Sequence, residues 1–365
     1  MSPIDSEPVV RSGDLRRIAQ PRRSFWATLL IMAVLIGLLG AAAWLGWFDT
    51  LAASIPPSLQ LAALVSLSLA PALVGLLIFA ILSRKNNAVS RIAFLLWLVT
   101  AALYLVSVRP LAAHFFPLEP WMTARWWSHF LIGFFITATL EMFLVYLVLR
   151  LGVYPGSAMQ SSTDGPLYGM ASALGLAAIV TVLPLLEGDT GSMSDLALWT
   201  AKMSLSYAAL GALLGYFLVQ ARFKRTHLFY LAAGFLLTVL LHAVYFTVLR
   251  AVDAQQSLFS GLGGLLWAAF FALAIFIFIF WRLKLGNKEF MRIAALVEIK
   301  EEEARPRSLL EGVIHLVETQ QIEVRPSPPL PPVQPAGAER GDELTNLETS
   351  WAALIQEQEG SHDSI

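Results

Sequence analysis

The stretch TATLEMFLVYLVLR, Thr137–Arg150, decides how this chain is read. It is apolar almost throughout, yet Glu141 stands in its middle. A run of this kind suits a lipid-embedded helix, where about 20 mostly apolar residues cross the hydrocarbon core. The rest of the chain agrees. Of its 365 residues 57% are hydrophobic and 14% charged, whereas soluble domains carry about a quarter charged residues. The net charge of −1 gives no reason to expect a nucleic-acid partner. With no cysteine, disulfides, thiol catalysis and cysteine-held metals are excluded.

Eight stretches are long and apolar enough to span, at roughly 25–47, 58–83, 91–108, 128–149, 166–186, 196–220, 228–250 and 258–281. The expected fold is therefore an all-α membrane protein, a bundle of about eight transmembrane helices in a lipid bilayer. Residues 1–24 form a basic, polar N-terminal segment. The first apolar run is too long for a signal-peptide core and reads as an uncleaved span. Basic residues set the orientation. With the N-terminus inside, Arg84, Lys85, Arg91, Arg150, Arg222, Lys224 and Arg225 fall in inner loops. Arg282, Lys284, Lys288 and Arg292 then follow the last span inside, and the acidic loop Glu187–Asp195 lies outside. Both termini are expected to be cytoplasmic, in a cell membrane. The proline-broken, aromatic segment His114–Trp127 is expected to lie along the outer surface as a short helix.

The transmembrane domain is placed at 25–285, with a charged helical segment at 286–322 behind it. A proline-rich linker at 323–341 and a short acidic amphipathic helix at 342–359 complete a partly disordered C-terminal tail. Leu344, Leu347, Trp351, Leu354 and Ile355 share one helical face of that last segment. It is either a docking peptide for a partner or an unstructured tail with incidental periodicity.

Ionisable residues at membrane depth are costly and face the bundle interior or a cavity. Glu141 in the fourth span and His242 in the seventh qualify. A carboxylate and an imidazole at similar depth can activate water, bind a metal, relay protons or only tie two helices together. The structural role has as strong a claim as the chemical one. A catalytic metal takes three protein ligands, and His129 lies about 18 Å up the helix from Glu141. A divalent metal therefore has no third ligand to support it, and no cofactor is expected. Asp164 opens the fifth span, and Lys202 enters the sixth near its outer end, where it can snorkel. Gly and Ala recur at three- and four-residue spacing in Leu167–Ala178 and Tyr207–Tyr216. Such faces let membrane helices approach closely, so these spans should form the packed centre.

The order of these residues, over about 128–250, resembles the PrsW-type intramembrane proteases, relatives of the CAAX-processing membrane proteases. In TLEMFL, Thr139–Leu144, Glu141 matches the second glutamate of the family's E-E-x-x-K motif; Leu140 and Leu144 replace the first glutamate and the lysine. Asp164, Gly165, Tyr168 and Gly169 match the helix opening D-G-x-x-Y-G, while Leu176 and Val180 replace the aromatic and the glutamate farther along. Gly215 and Tyr216 are present, but Ser206 and Tyr207 stand where the family has a histidine. His242 is kept, with Phe246 in place of the polar partner that follows it.

In that family the glutamates and histidines position or activate the water that attacks a peptide bond. The resemblance implies a protease-like bundle whose catalytic set is degenerate, with Glu141 and His242 as remnants and Asp164, Tyr168, Ser206 and Tyr207 as assisting candidates. Glu141 would then be held by His242 or by a hydroxyl of Tyr146, Ser206 or Tyr207. Such a protein would bind or scaffold a membrane partner. Two alternatives stay open: an active intramembrane peptidase using Glu141 as base and His242 to position water, and a structural subunit of a membrane complex. Transport is disfavoured, since no internal repeat and no pair of broken spans is evident.

Overall fold

A computed structural model describes residues 23–82, 87–116, 125–155, 158–188, 192–223, 228–253 and 260–320. The described residues contain no strand, and eight of their helical stretches are long and apolar enough to cross a membrane. Lipid cannot satisfy backbone N–H and C=O groups, so a chain this apolar must close its hydrogen bonds within helices. The protein is a multi-pass helical membrane protein. The proposed docking segment 342–359 and residues 117–124 of the outer segment lie outside the described residues.

The helices are α1 (Arg23–Trp44), the short α2 (Trp47–Ala52), α3 (Pro57–Leu82), α4 (Asn87–Leu103) and α5 (Arg109–Phe115), then α6 (Trp126–Ile132), α7 (Thr139–Gly152), α8 (Asp164–Leu186), α9 (Met193–Phe223), α10 (Leu228–Asp253) and α11 (Ser260–Gln320). Two of the spans are composite. A π turn, Tyr104–Val108, joins α4 to α5, and a second, Gly133–Ala138, joins α6 to α7. The third span thus runs Ala88–Phe115, longer than its apolar core at 91–108. Arg109, at the polar end of that core, continues the helix and pairs with Glu187 at the end of α8. The eighth span and the charged stretch after it share the single helix α11. The chain divides into two compact units between Glu302 and Glu303.

α8 and α9 form the centre of the first unit. In their most apolar stretches 78% and 94% of residues are buried, against 28% to 39% for the other spans. Glycine makes this possible. Gly165 and Gly169 face Gly215 and Gly211 backbone to backbone, and Ala173 continues the seam. On its other side α8 meets α4: Gly175 lies on the Trp97 backbone, and the Thr100 and Ser172 hydroxyls hydrogen-bond at 2.7 Å. The packed centre is therefore where the small-residue spacing puts it.

Around this pair, α1 and α3 lie on α9 and on each other. α11 meets α1 through Leu265 on Gly40 and Phe280 on Trp26, and α10 through Trp267 and Phe271 on Tyr245. Lys202 departs from the snorkelling that its sequence position suggests. It is 6% exposed and donates to both oxygens of Asp253, at 3.1 and 2.9 Å, tying α9 to the end of α10. Tyr245 adds a hydrogen bond to the Lys202 carbonyl at 3.0 Å. A buried ammonium with a carboxylate in reach keeps the partner, because water at that depth is scarce.

Breaking a buried pair from one side leaves a charge uncompensated. The Asp253 side chain is 35% exposed, which softens the penalty. Lys202→Met is expected to lower unfolding stability by about 1–2 kcal/mol. The double variant Lys202→Met/Asp253→Leu should recover most of that loss. Thermal unfolding of the detergent-purified variants checks both.

Candidate functional site

Three spans bring their polar residues together at one point. Glu141 sits in the first turn of α7, directly after the π turn Gly133–Ala138. Thr139 donates its hydroxyl to the Phe134 carbonyl at 2.7 Å, five residues back, so a side chain shares in closing the widened turn. A π turn inserts one extra residue and rotates everything after it, a device common at functional positions. Here it precedes a face of α7 on which Glu141, Met142, Val145, Val148 and Leu149 are all buried.

Tyr207 of α9 donates its hydroxyl to Glu141 Oε2 at 2.6 Å. His242 of α10 places Nε2 3.4 Å from the same oxygen. The imidazole also stands edge-on to the Tyr207 ring, centroids 5.3 Å apart, and 4.8 Å from the Phe246 ring. Exposure is 3% for Glu141 and 1% each for Tyr207 and His242. Neither ring nitrogen of His242 makes a hydrogen bond. Tyr104, in the π turn of the third span, lies within electrostatic reach of Glu141. The centre is thus a carboxyl group held by one phenol, with an imidazole close by and aromatic walls around it.

The structure brings together Glu141, Tyr207 and His242 and leaves the other sequence candidates elsewhere. Asp164 begins α8 and accepts the backbone N–H groups of Gln160 and Ser161 at 2.8 and 2.9 Å. Its neighbour Gly165 opposes Gly215, eight residues along α9 from Tyr207, or about 12 Å. Asp164 therefore shapes the turn into α8. Tyr168 serves the same loop, donating to the Ala158 carbonyl at 3.3 Å. Ser206 donates back to the Met203 carbonyl at 3.1 Å and also reaches Tyr245. Tyr146 packs against Phe143 and Phe235. His129 contacts Arg250 at 2.7 Å.

Two side chains of metal-ligating type, Glu141 and His242, meet at this centre. Among the described residues no group of three His, Asp or Glu side chains converges, and the chain has no cysteine. A catalytic metal normally takes three protein ligands, where this site offers two.

Two lipid-facing grooves flank α7. One, about 480 Å³, lies between α4 and α7, with Leu96, Val99, Leu144 and Val148 in its wall. The other, about 300 Å³, lies between α7 and α10, with Tyr146, Arg150 and Phe235. Glu141 and His242 line neither of these two grooves.

The Protease PrsW of Oceanobacillus iheyensis is 30% identical to this chain over 144 residues. The match covers 38% of this chain and 64% of that protein, so the chain spans just under two thirds of the relative's length. No family model matches the chain, and no solved structure matches it.

Proposed function

We propose that the chain is a PrsW-like membrane protein that has lost peptide hydrolysis and instead holds a membrane partner, whose apolar helix would lie in a groove beside α7. The observation that supports this most directly is the enclosure of Glu141. Its one hydrogen-bond donor is a phenol, its histidine neighbour is 1% exposed, and Phe246 fills the place of the family's polar group. A hydrolytic water needs a base with room for water and substrate beside it. The position that carries the family's histidine is occupied by Ser206 and Tyr207, and Leu140 and Val180 stand where two of its glutamates would be. Loss of single members of such a constellation typically costs orders of magnitude in rate. The bias of basic residues toward one set of loops supports an orientation with both termini on the cytoplasmic side of a cell membrane.

One distance favours a second reading, an active peptidase. At 3.4 Å from Glu141 Oε2, His242 Nε2 needs only a small movement to form a hydrogen bond. A pair in that arrangement could share an attacking water if the α7–α10 contact opened. Catalytic hydrogen bonds often tighten only with substrate bound.

The two readings part on the variant Glu141→Gln, which keeps size and hydrogen bonding but removes the base. Membrane proteomes are compared between cells that lack the protein, cells with the wild type and cells with Glu141→Gln. The expected result is that Glu141→Gln matches the wild type, with the same partner crosslinked from positions lining the α4–α7 groove. Loss of defined cleavage products in both the deletion and the Glu141→Gln cells would establish the peptidase and overturn the proposal.

A further inference from the structure

The end of the bundle where α1 begins carries a third groove, away from the Glu141 centre. It lies between α1 and α11, has a volume of about 540 Å³, and is walled by Trp26, Phe280, Leu283 and Met291. Its remaining lining residues are Lys284, Asn287 and Lys288, with no carboxylate among them. We propose that this groove is a binding site for an anionic phospholipid, with the acyl chains along its apolar wall and the phosphate between the two lysines.

The placement supports a lipid in particular. Gly40 meets Leu265 and Trp26 meets Phe280, so α1 and α11 run antiparallel and reach the same membrane boundary together. Trp26 stands one residue into the first span, and tryptophan favours the headgroup level. Its ring is set edge-on to Phe280 at 5.2 Å, which fixes the apolar floor. Lys284 and Lys288 are one helical turn apart, about 6 Å along the axis, a spacing at which two ammonium groups can bracket one phosphate. Both are exposed, and neither makes an ion pair among the described residues. Asn287 is fixed between them: its Oδ1 accepts from the Ser162 hydroxyl at 3.0 Å, which leaves its NH₂ group as a neutral donor. Apolar surface continuous with three donors at the headgroup level matches a lipid with a negatively charged head. It is a poor match for a zwitterionic one, whose choline would meet two positive charges. A soluble anion would use the donors and leave the apolar wall bare.

The test uses the full-length protein, purified in a mild detergent and titrated with phosphatidylglycerol or phosphatidylcholine of identical acyl chains. Bound lipid is counted by native mass spectrometry. The wild type is expected to bind phosphatidylglycerol about 30-fold more tightly than phosphatidylcholine, or ~2 kcal/mol for two basic residues. In Lys284→Gln/Lys288→Gln that preference should vanish, and in Lys284→Arg/Lys288→Arg it should persist. Arg91→Gln/Arg292→Gln removes the same charge from positions outside the groove lining and should keep the preference. The proposal is overturned if the wild type does not discriminate between the lipids, or if the Arg91/Arg292 variant loses as much as the lysine variant. Displacement of the lipid by millimolar inorganic phosphate would also overturn it, since the site would then be one for free anions.

Discussion

Gly211→Leu is expected to lower unfolding stability by about 3 kcal/mol or more, with most of the protein lost as aggregate on extraction. A Cβ at this position overlaps the Gly169 carbonyl oxygen and the Ala173 Cβ. The obstacle is mainly backbone, which cannot swing aside as a flexible side chain can. The contact is also reciprocal, since a Cβ at Gly169 overlaps the Gly211 carbonyl and one at Gly215 overlaps that of Gly165. Relief therefore requires α8 and α9 to separate along the seam. Overpacking in cores typically costs 1–3 kcal/mol, and this seam joins the two most buried spans, so the upper end of that range applies. Gly37→Ala is the control. Nothing lies within 4 Å of a Cβ there, and alanine gains up to about 1 kcal/mol of helix propensity over glycine. Thermal unfolding in detergent should show a large downward shift for Gly211→Leu and none, or a small rise, for Gly37→Ala. A Gly211→Leu protein as stable as the wild type would mean that α8 and α9 do not meet backbone to backbone at Gly211.

That seam was open to reading in the sequence, because small residues at three- and four-residue intervals leave a periodic trace and a hydrophobic run of 20 residues has few other uses in a chain with so little charge. The limits of the third and eighth spans were harder. Charge at Arg109 and Arg282 looks like a span's end, but a helix does not stop when it leaves the hydrocarbon, and Arg109 finds Glu187 as a partner. The candidate site divides in the same way. Glu141 and His242 announce themselves as ionisable residues in apolar surroundings. Which hydroxyl meets Glu141 is set by helix rotation, and the π turn at Gly133–Ala138 alters that rotation by one residue without leaving any composition to read. In sequence alone Tyr146, Ser206 and Tyr207 are equal candidates for that contact. Asp164 and Tyr168 show the opposite case: residues that fit a family motif and serve a turn. The Lys202–Asp253 pair was hidden for another reason, since its members are 51 residues apart and on different spans.

Tyr207→Phe is expected to destabilise the protein by about 1–2 kcal/mol, because it leaves a buried carboxyl group with no donor. The loss belongs to the orphaned group and only partly to the bond itself. Removing both members, in Glu141→Leu/Tyr207→Phe, should therefore return stability close to that of the wild type. A double-mutant cycle should give a coupling energy of about 1 kcal/mol, in the range of hydrogen bonds between membrane helices. His242 behaves differently. Its two ring nitrogens are buried and unpaired, so they already carry a desolvation cost that an apolar side chain would remove. His242→Leu is thus expected to be neutral or mildly stabilising, the reverse of the usual sign for a large buried residue. Thermal unfolding of the four variants decides between two descriptions of the centre. A stable His242→Leu together with a weakened Tyr207→Phe describes a carboxyl held by a phenol, with an imidazole that contributes nothing to folding. An imidazole retained in a buried site at a cost to stability is then free to be tested for a role in binding or chemistry. A His242→Leu protein weakened as much as Tyr207→Phe would instead make the histidine a third member of the hydrogen-bonded knot that ties α7, α9 and α10 together.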